Sequence, residues 1–207
     1  MSIYQDYLDG LASNLPADVA ALLATCNGAD EAEIIELLKH YPDAPEDLIG
    51  LLRVIKGTHY ESHQGQSVCL PVLASDVGKG EYPYYLRSIA QIIEDKNNRF
   101  GQMSIQDIYE EMLEFIDIDE RIDVTVPGGS RICFANCINN GGTSMLYIDF
   151  APTAKGKYGQ IIRYLHDPDS YQVIADDFSL YLQSIMSAQY PFIDPDRTAE
   201  EYCSDED

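Results

Sequence analysis

Between residues 127 and 186 the chain runs strand, Asn139-Asn140-Gly141-Gly142, strand ending Tyr147-Ile148-Asp149-Phe150, a Lys/Gly loop, strand and helix. That succession limits the possible folds more than any composition figure does. The expected strands are Ile122 to Val126, Arg131 to Ala135, Thr143 to Phe150, Gln160 to Leu165 and Tyr171 to Ala175. Asn140-Gly141 is the strongest hairpin signal among them, because both residues tolerate the positive φ of a tight two-residue turn. Pro127-Gly128-Gly129 reads as the turn between the first two strands, and Ala151 to Gly159 as a loop. Asp176 is placed to cap a closing helix carrying Phe178, Leu182, Ile185 and Met186.

The first third reads as helices. Ile3, Tyr4, Tyr7, Leu8 and Leu11 recur at helical spacing, and Pro16 suits the first turn of a second segment. Asp30 with Glu33 forms a capping pattern before Ile34, Ile35, Leu37 and Leu38, and Pro45 opens a helix through Ile55 that closes near Gly57. Short β-like runs at Ser67 to Leu73 and Tyr82 to Leu86 precede a helix capped by Ser88, then an Asn97 to Gly101 loop. Ser104 and Asp107 open a further helix through about residue 117. Its inner face is Ile105, Ile108, Tyr109, Met112, Leu113 and Ile116.

The net charge of −22 is unevenly placed. Residues 1 to 50 carry ten acids against Lys39, residues 104 to 123 eight against Arg121, and residues 190 to 207 seven against Arg197; the remainder is balanced. Such a field repels nucleic acid and anionic membranes and speeds encounter with a basic protein. Within the second block Asp107, Glu110, Glu111 and Glu114 fall at i, i+3, i+4 and i+7 with no intrahelical cation, and Asp117, Asp119 and Glu120 extend the run. These seven carboxylates are the candidate partner-binding residues. The bland alternative for any of them is a solvated face that maintains solubility.

Catalytic and metal signatures are missing. No nucleophile elbow, phosphate loop, dinucleotide fingerprint or His-Glu-x-x-His occurs, and Val77-Gly78-Lys79-Gly80 reads as an ordinary turn. His59-x-x-x-His63 could put two imidazoles on a helix face, yet Gly57 and Gly65 argue against a helix there. His166-Asp167 has no nucleophile placed beside it, and Cys133 and Cys137 lack the spacing and the second pair of a zinc site. The calcium-like starts at Asp117 and Asp194 fail at their sixth positions. No enzyme activity, metal or cofactor is expected. Five scattered cysteines, no apolar run long enough to span a bilayer and no basic leader predict a soluble cytoplasmic protein with reduced thiols.

With its segments in order the chain resembles the SUKH superfamily, which groups a fungal cell-wall synthesis regulator with bacterial proteins of toxin-immunity loci. The resemblance rests on Ile34, Leu37, Pro45, Leu48, Leu52 and Gly57, then on Ile132 to Ala135, Asn140-Gly141-Gly142, Ile148 to Pro152, Gly156, Gly159 to Ile162, Val173 to Ala175 and Phe178, Tyr181 and Leu182. It covers about residues 31 to 186. The chain departs from the family in having no Trp, an extra helical segment at its start and a lengthened acidic stretch at 104 to 117. The resemblance implies an α+β fold, a mixed or antiparallel β-sheet flanked by helices, used for protein binding rather than catalysis. The expected organisation is a helical extension (1–28), a SUKH-like domain (29–190) and an acidic, disordered tail (191–207). The function it implies is that of an immunity-type protein, neutralising a cognate toxin with a basic surface, such as a nuclease or nucleotide-modifying enzyme. The alternative is an intracellular regulatory or scaffold module with no toxin.

Overall fold

A computed structural model describes residues 2–75, 82–139 and 142–202. The Val77 to Gly80 turn, the Asn140-Gly141 hairpin tip and the last five residues of the expected tail lie outside the described residues. In chain order the elements are α1 (Ile3–Asn14), α2 (Ala17–Leu23), α3 (Glu31–His40), α4 (Glu46–Val54), β1 (His59–His63), β2 (Gln66–Cys69), β3 (Pro71–Ser75), β4 (Tyr82–Leu86), α5 (Ile89–Asn97), α6 (Arg99–Gln102) and α7 (Ile105–Tyr109). There follow β5 (Asp117–Ile118), β6 (Arg131–Asn139), β7 (Gly142–Asp149), β8 (Gln160–Leu165), β9 (Ser170–Ala175), α8 (Phe178–Ser187) and α9 (Ala199–Tyr202). Two compact units result, one of residues 1–89 with 182–207 and one of residues 90–181. The fold class is α+β.

In the first unit α1 to α4 bury the residues that helical spacing selects, with Tyr7, Leu11, Ile34, Leu37, Leu48, Leu51 and Leu52 almost fully enclosed. The expected box at the start of α3 is present: Glu33 N donates to Asp30 Oδ1 at 2.9 Å and Asp30 N donates to Glu33 Oε2 at 2.8 Å. Gly50 lets the ring of Tyr4 lie against α4, because a Cβ there would collide with it. The expected strand Ser67 to Leu73 is instead two strands. β2 pairs antiparallel with β1, and β3 pairs antiparallel with β4, the division falling at the buried Leu70. Towards the C-terminus Phe192 and Tyr202 are buried, and Ala199 N donates to Asp18 Oδ2 at 2.9 Å.

His63 is the polar pin of this unit. It sits at the end of β1, fully enclosed, where its Nδ1 accepts from Asn27 N and its Nε2 faces Gly57 O, both at 2.8 Å. One tautomer satisfies both contacts, Nε2 carrying the proton. The histidine is a strand residue holding two loops, not half of a helical metal pair.

In the second unit the strand order is β6-β7-β8-β9-β5, antiparallel except for the parallel β5·β9 pair. Cross-strand alternation gives the sheet two faces. Ile132, Leu146, Ile148 and Ile161 point one way, where Phe134 meets Phe178 and Tyr181 edge-on at centroid distances of 5.2 and 5.6 Å. Cys133, Met145, Tyr147, Ile162 and Tyr164 point the other way. Three expectations are corrected here. Ile122 to Val126 is a turn rather than a strand, its Ile122 spent on packing with Ile105, Ile162 and Tyr171. Residues 99 to 102 form a short helix capped by Asn98, whose side chain accepts from Gly101 N at 2.8 Å. Asp177, not Asp176, caps α8 by accepting from Leu180 N, while Asp176 pairs with Lys157.

His63→Leu removes both polar contacts and leaves the amide of Asn27 and the carbonyl of Gly57 without their partner. It is expected to cost about 2–4 kcal/mol, read as a lower urea midpoint with an unchanged m-value.

Candidate functional site

The second sheet face is not packed solid. Between it and the stretch from α5 to the Gly128–Ser130 turn lies a cavity of about 350 Å³. Its floor is Cys133 of β6, Met145 and Tyr147 of β7, Ile162 and Tyr164 of β8 and Tyr171 of β9. Its cover is Lys96, Phe100, Met103, Ile105, Ile108 and Tyr109, with Gly128 and Gly129.

The cover is stitched by close backbone approach. Gly128 N donates to Met103 O at 2.9 Å, and Lys96 Nζ donates to Gly129 O at the same distance. A Cβ on Gly129 would come within 2.8 Å of Lys96 O and 3.0 Å of Gly101 O. The sequence Pro127-Gly128-Gly129 therefore serves close packing of two loops rather than the hairpin turn its composition suggests.

One wall is a tyrosine cluster. Tyr164 stacks on Tyr171 at 4.7 Å, and Tyr109 meets Tyr171 edge-on at 6.3 Å. Asp169 gathers the hydroxyls: Tyr109 donates to Oδ2, Tyr164 donates to Oδ1 at 3.1 Å, and His166 Nδ1 lies 3.2 Å from Oδ1. Burial pushes the Tyr109, Tyr147 and Tyr171 hydroxyls far up and that of Tyr164 to about 12, so all four remain protonated donors in neutral water. Burial also raises Asp169, but bonds from Tyr109, Asp167 N and Tyr164 outweigh it and hold the carboxylate below its ordinary value. Tyr109 and Asp169 are 60 residues apart, so spacing in the sequence gives no sign of the pair.

The end of the sheet is closed by a buried ion pair. Arg131 Nε donates to Asp149 Oδ1 at 3.0 Å, with the two side chains 4% and 0% exposed. Further hydrogen bonds surround the pair. Gln160 Nε2 donates to Asp149 Oδ2 at 3.0 Å and to Arg121 O at 3.2 Å, Ala151 N donates to Asp149 Oδ1, and Arg131 Nη2 donates to Asp123 O at 2.8 Å. One carboxylate thus ties the turn 121–123 to the strands beneath it.

The seven candidate carboxylates separate into three kinds. Asp119 is neutralised by Arg121, which donates through Nε at 2.9 Å and through Nη2 at 2.5 Å; this bond and the backbone amide of Arg121 bring its pKa down to about 2. Glu120 pairs with Lys155 at 2.5 Å. Asp107 closes a capping box with Ser104, and Asp117 accepts from Gln172 Nε2 at 3.0 Å. Glu110, Glu111 and Glu114 are exposed, and among the described residues no cation meets them.

The expected helix through residue 117 is corrected. α7 stops at Tyr109, Glu110 takes φ 48° and ψ −118°, and residues 110 to 115 tighten into a 3-10 turn. Continuing the α-helix would have stacked four like charges along one face. The break instead turns Leu113 and Ile116 towards the cluster of Ile105, Ile122, Ile162 and Tyr171. It leaves Ile108, Met112 and Phe115 exposed among the free carboxylates, Phe115 at 71%.

Among the described residues no group of three or more His, Cys, Asp or Glu side chains could hold a metal ion, and no helix is long and apolar enough to cross a membrane. The parts define an α+β recognition domain with a lined cavity beside an acidic, partly apolar ridge. The chain belongs to the SMI1 / KNR4 family (SUKH-1), whose profile matches residues 10–184. No curated protein matches it. At family level this supports an immunity-type or regulatory domain that works through protein–protein contacts, in a family that is generally non-enzymatic.

Two outcomes follow from the ion pairs. Asp149→Asn keeps the shape but leaves the Arg131 charge buried without its counterion, an expected loss of about 3–5 kcal/mol in urea unfolding; the double change Arg131→Met with Asp149→Leu is expected to restore most of it. Asp119 has a folded pKa of about 2 against the ordinary 3.8, so its contribution is full above pH about 4 and fades as pH falls towards 2. The stability gap between the natural protein and Asp119→Asn should therefore shrink by about 1–2 kcal/mol between pH 5 and 2, as partial exposure of Arg121 weakens the pair.

Proposed function

We propose that this protein is an immunity-type binder that neutralises a cognate toxin in the cytoplasm by occluding a basic surface of it, with no catalysis of its own. The observation that carries the reading is the ridge 110–115, where Glu110, Glu111 and Glu114 stand exposed without counterions among exposed Met112 and Phe115. Uncompensated carboxylates around apolar side chains suit a cationic protein surface, since the charge steers encounter and the apolar groups hold the complex. A toxin that acts on a nucleic acid or nucleotide has such a surface where its phosphates bind. In this reading Asp107 and Asp117, hydrogen-bonded within the chain, contribute field rather than contact, while Asp119 and Glu120 are spent on Arg121 and Lys155.

The test is stopped-flow association with the toxin encoded beside this gene. The natural protein should associate at a rate that falls as salt rises from about 0.05 to about 0.5 M. The combined change of Glu110, Glu111 and Glu114 to Gln should slow association by about tenfold at low salt and flatten the salt dependence, whereas Glu120→Gln should change little. A rate indifferent to both salt and the triple change would reject the reading.

A further inference from the structure

We infer that the 350 Å³ cavity receives one apolar, preferably aromatic, side chain of a protein partner, carried on a segment with basic neighbours. The inference rests on the proposed function and supplies what that reading lacks, an anchor.

Size and chemistry fix the class of occupant. The volume is at the small end of ligand pockets, which run from about 300 to 1,000 Å³, so it suits one ring system and little more. Its surface is mainly aromatic and aliphatic, and Met103 and Met145 give it walls that adjust to shape. The cations that border it are committed, Lys96 to Gly129 O and Arg131 to Asp149, which disfavours a phosphate or carboxylate ligand.

Charge at the mouth then selects among apolar occupants. Met103 lines both the cavity and a neighbouring shallow depression formed with Gln106, Asp107, Glu110 and Glu111. Ile108 also lines the cavity, and it is 37% exposed between Asp107 and Tyr109. A side chain entering here brings its flanking backbone against carboxylates, so cationic neighbours are attracted and anionic ones repelled. A protein segment meets both demands. A neutral metabolite would meet only the first.

The chain contains no Trp, so the emission of a Trp-bearing peptide can be followed without interference. The probes are capped pentapeptides with a central Trp flanked by two Lys on each side, the same with Glu flanks, the Lys peptide with Ala in place of Trp, and free indole. The Lys-flanked Trp peptide should bind with its emission moved to shorter wavelength, about tenfold more tightly than the Glu-flanked one and more weakly near 1 M salt, where the screening length falls to about 3 Å. Thr143→Phe, which enlarges a half-buried side chain on the floor, should weaken it by about tenfold. Ile108→Lys, at an exposed rim position, should do the same without risk to the core, and thermal melts report whether each variant is folded.

Indole binding as tightly as the peptide, or peptide affinity indifferent to its flanks, would overturn the inference in favour of a small-molecule site. So would an unshifted Trp emission at millimolar peptide. The two readings fail separately: a toxin whose association is slowed by the Glu-to-Gln triple but untouched by Thr143→Phe and Ile108→Lys refutes the cavity anchor and leaves the acidic surface standing.

Discussion

The Arg131–Asp149 pair is the constraint on which the second unit depends. A charge enclosed to this degree is tolerated only when its counterion and its other hydrogen-bond partners are fixed in place. Here they come from separate pieces of chain: the adjacent strands through the pair itself, the loop after β7 through Ala151 N, the start of β8 through Gln160 Nε2, which also donates to Arg121 O, and the turn before β6 through the carbonyl of Asp123. The pair is weak as a source of net stability, because desolvation offsets most of its attraction. Its effect is positional. It fixes where the 121–123 turn meets the sheet, and Arg131 itself borders the cavity.

The cavity follows from the same arrangement. Packed sheet faces normally fill to crystal-like density, and on the face of the fully buried Ile132, Leu146 and Ile148 the ring of Phe134 meets Phe178 and Tyr181 edge-on. The opposite face meets short helices and glycine-mediated crossings instead of one long amphipathic helix. Such a cover cannot follow the curvature of the sheet everywhere. The residual space is bounded by Tyr147 and Tyr164 on the sheet side and by Phe100, Met103 and Ile108 on the cover side.

Much of this was legible from the residues, for identifiable reasons. β8 ends where expected, α3 carries its capping box, and the strand–turn–strand order places the chain in its family, because those signals are local: alternation, a cap, a turn. The errors occur where tertiary contacts override local pattern. Ser67 to Leu73 looks like one strand and is two, because β2 and β3 answer to different partners on either side of Leu70. Residues 104 to 117 look like one amphipathic helix and break at Glu110, because Leu113 and Ile116 are claimed by Ile122, Ile162 and Tyr171. The Tyr109–Asp169 contact could not be read at all, since nothing local links residues 60 apart.

Charge shows the gap between sequence and structure most plainly. As a string, residues 104 to 123 are eight acids and one base, which suggests an even wall of negative potential. Folding sorts them. Arg121 and the distant Lys155 neutralise Asp119 and Glu120, Ser104, Gln172 and Thr125 hydrogen-bond Asp107, Asp117 and Asp123 without cancelling their charge, and the carboxylates with neither kind of partner among the described residues are Glu110, Glu111 and Glu114 on a single 3-10 turn. At physiological salt, fields from exposed charges fade over about 8 Å, so only charges close to a contact can discriminate between partners. Concentrating the unpaired carboxylates on one short turn, with Met112 and Phe115 between them, therefore does more for recognition than the larger total spread along the chain.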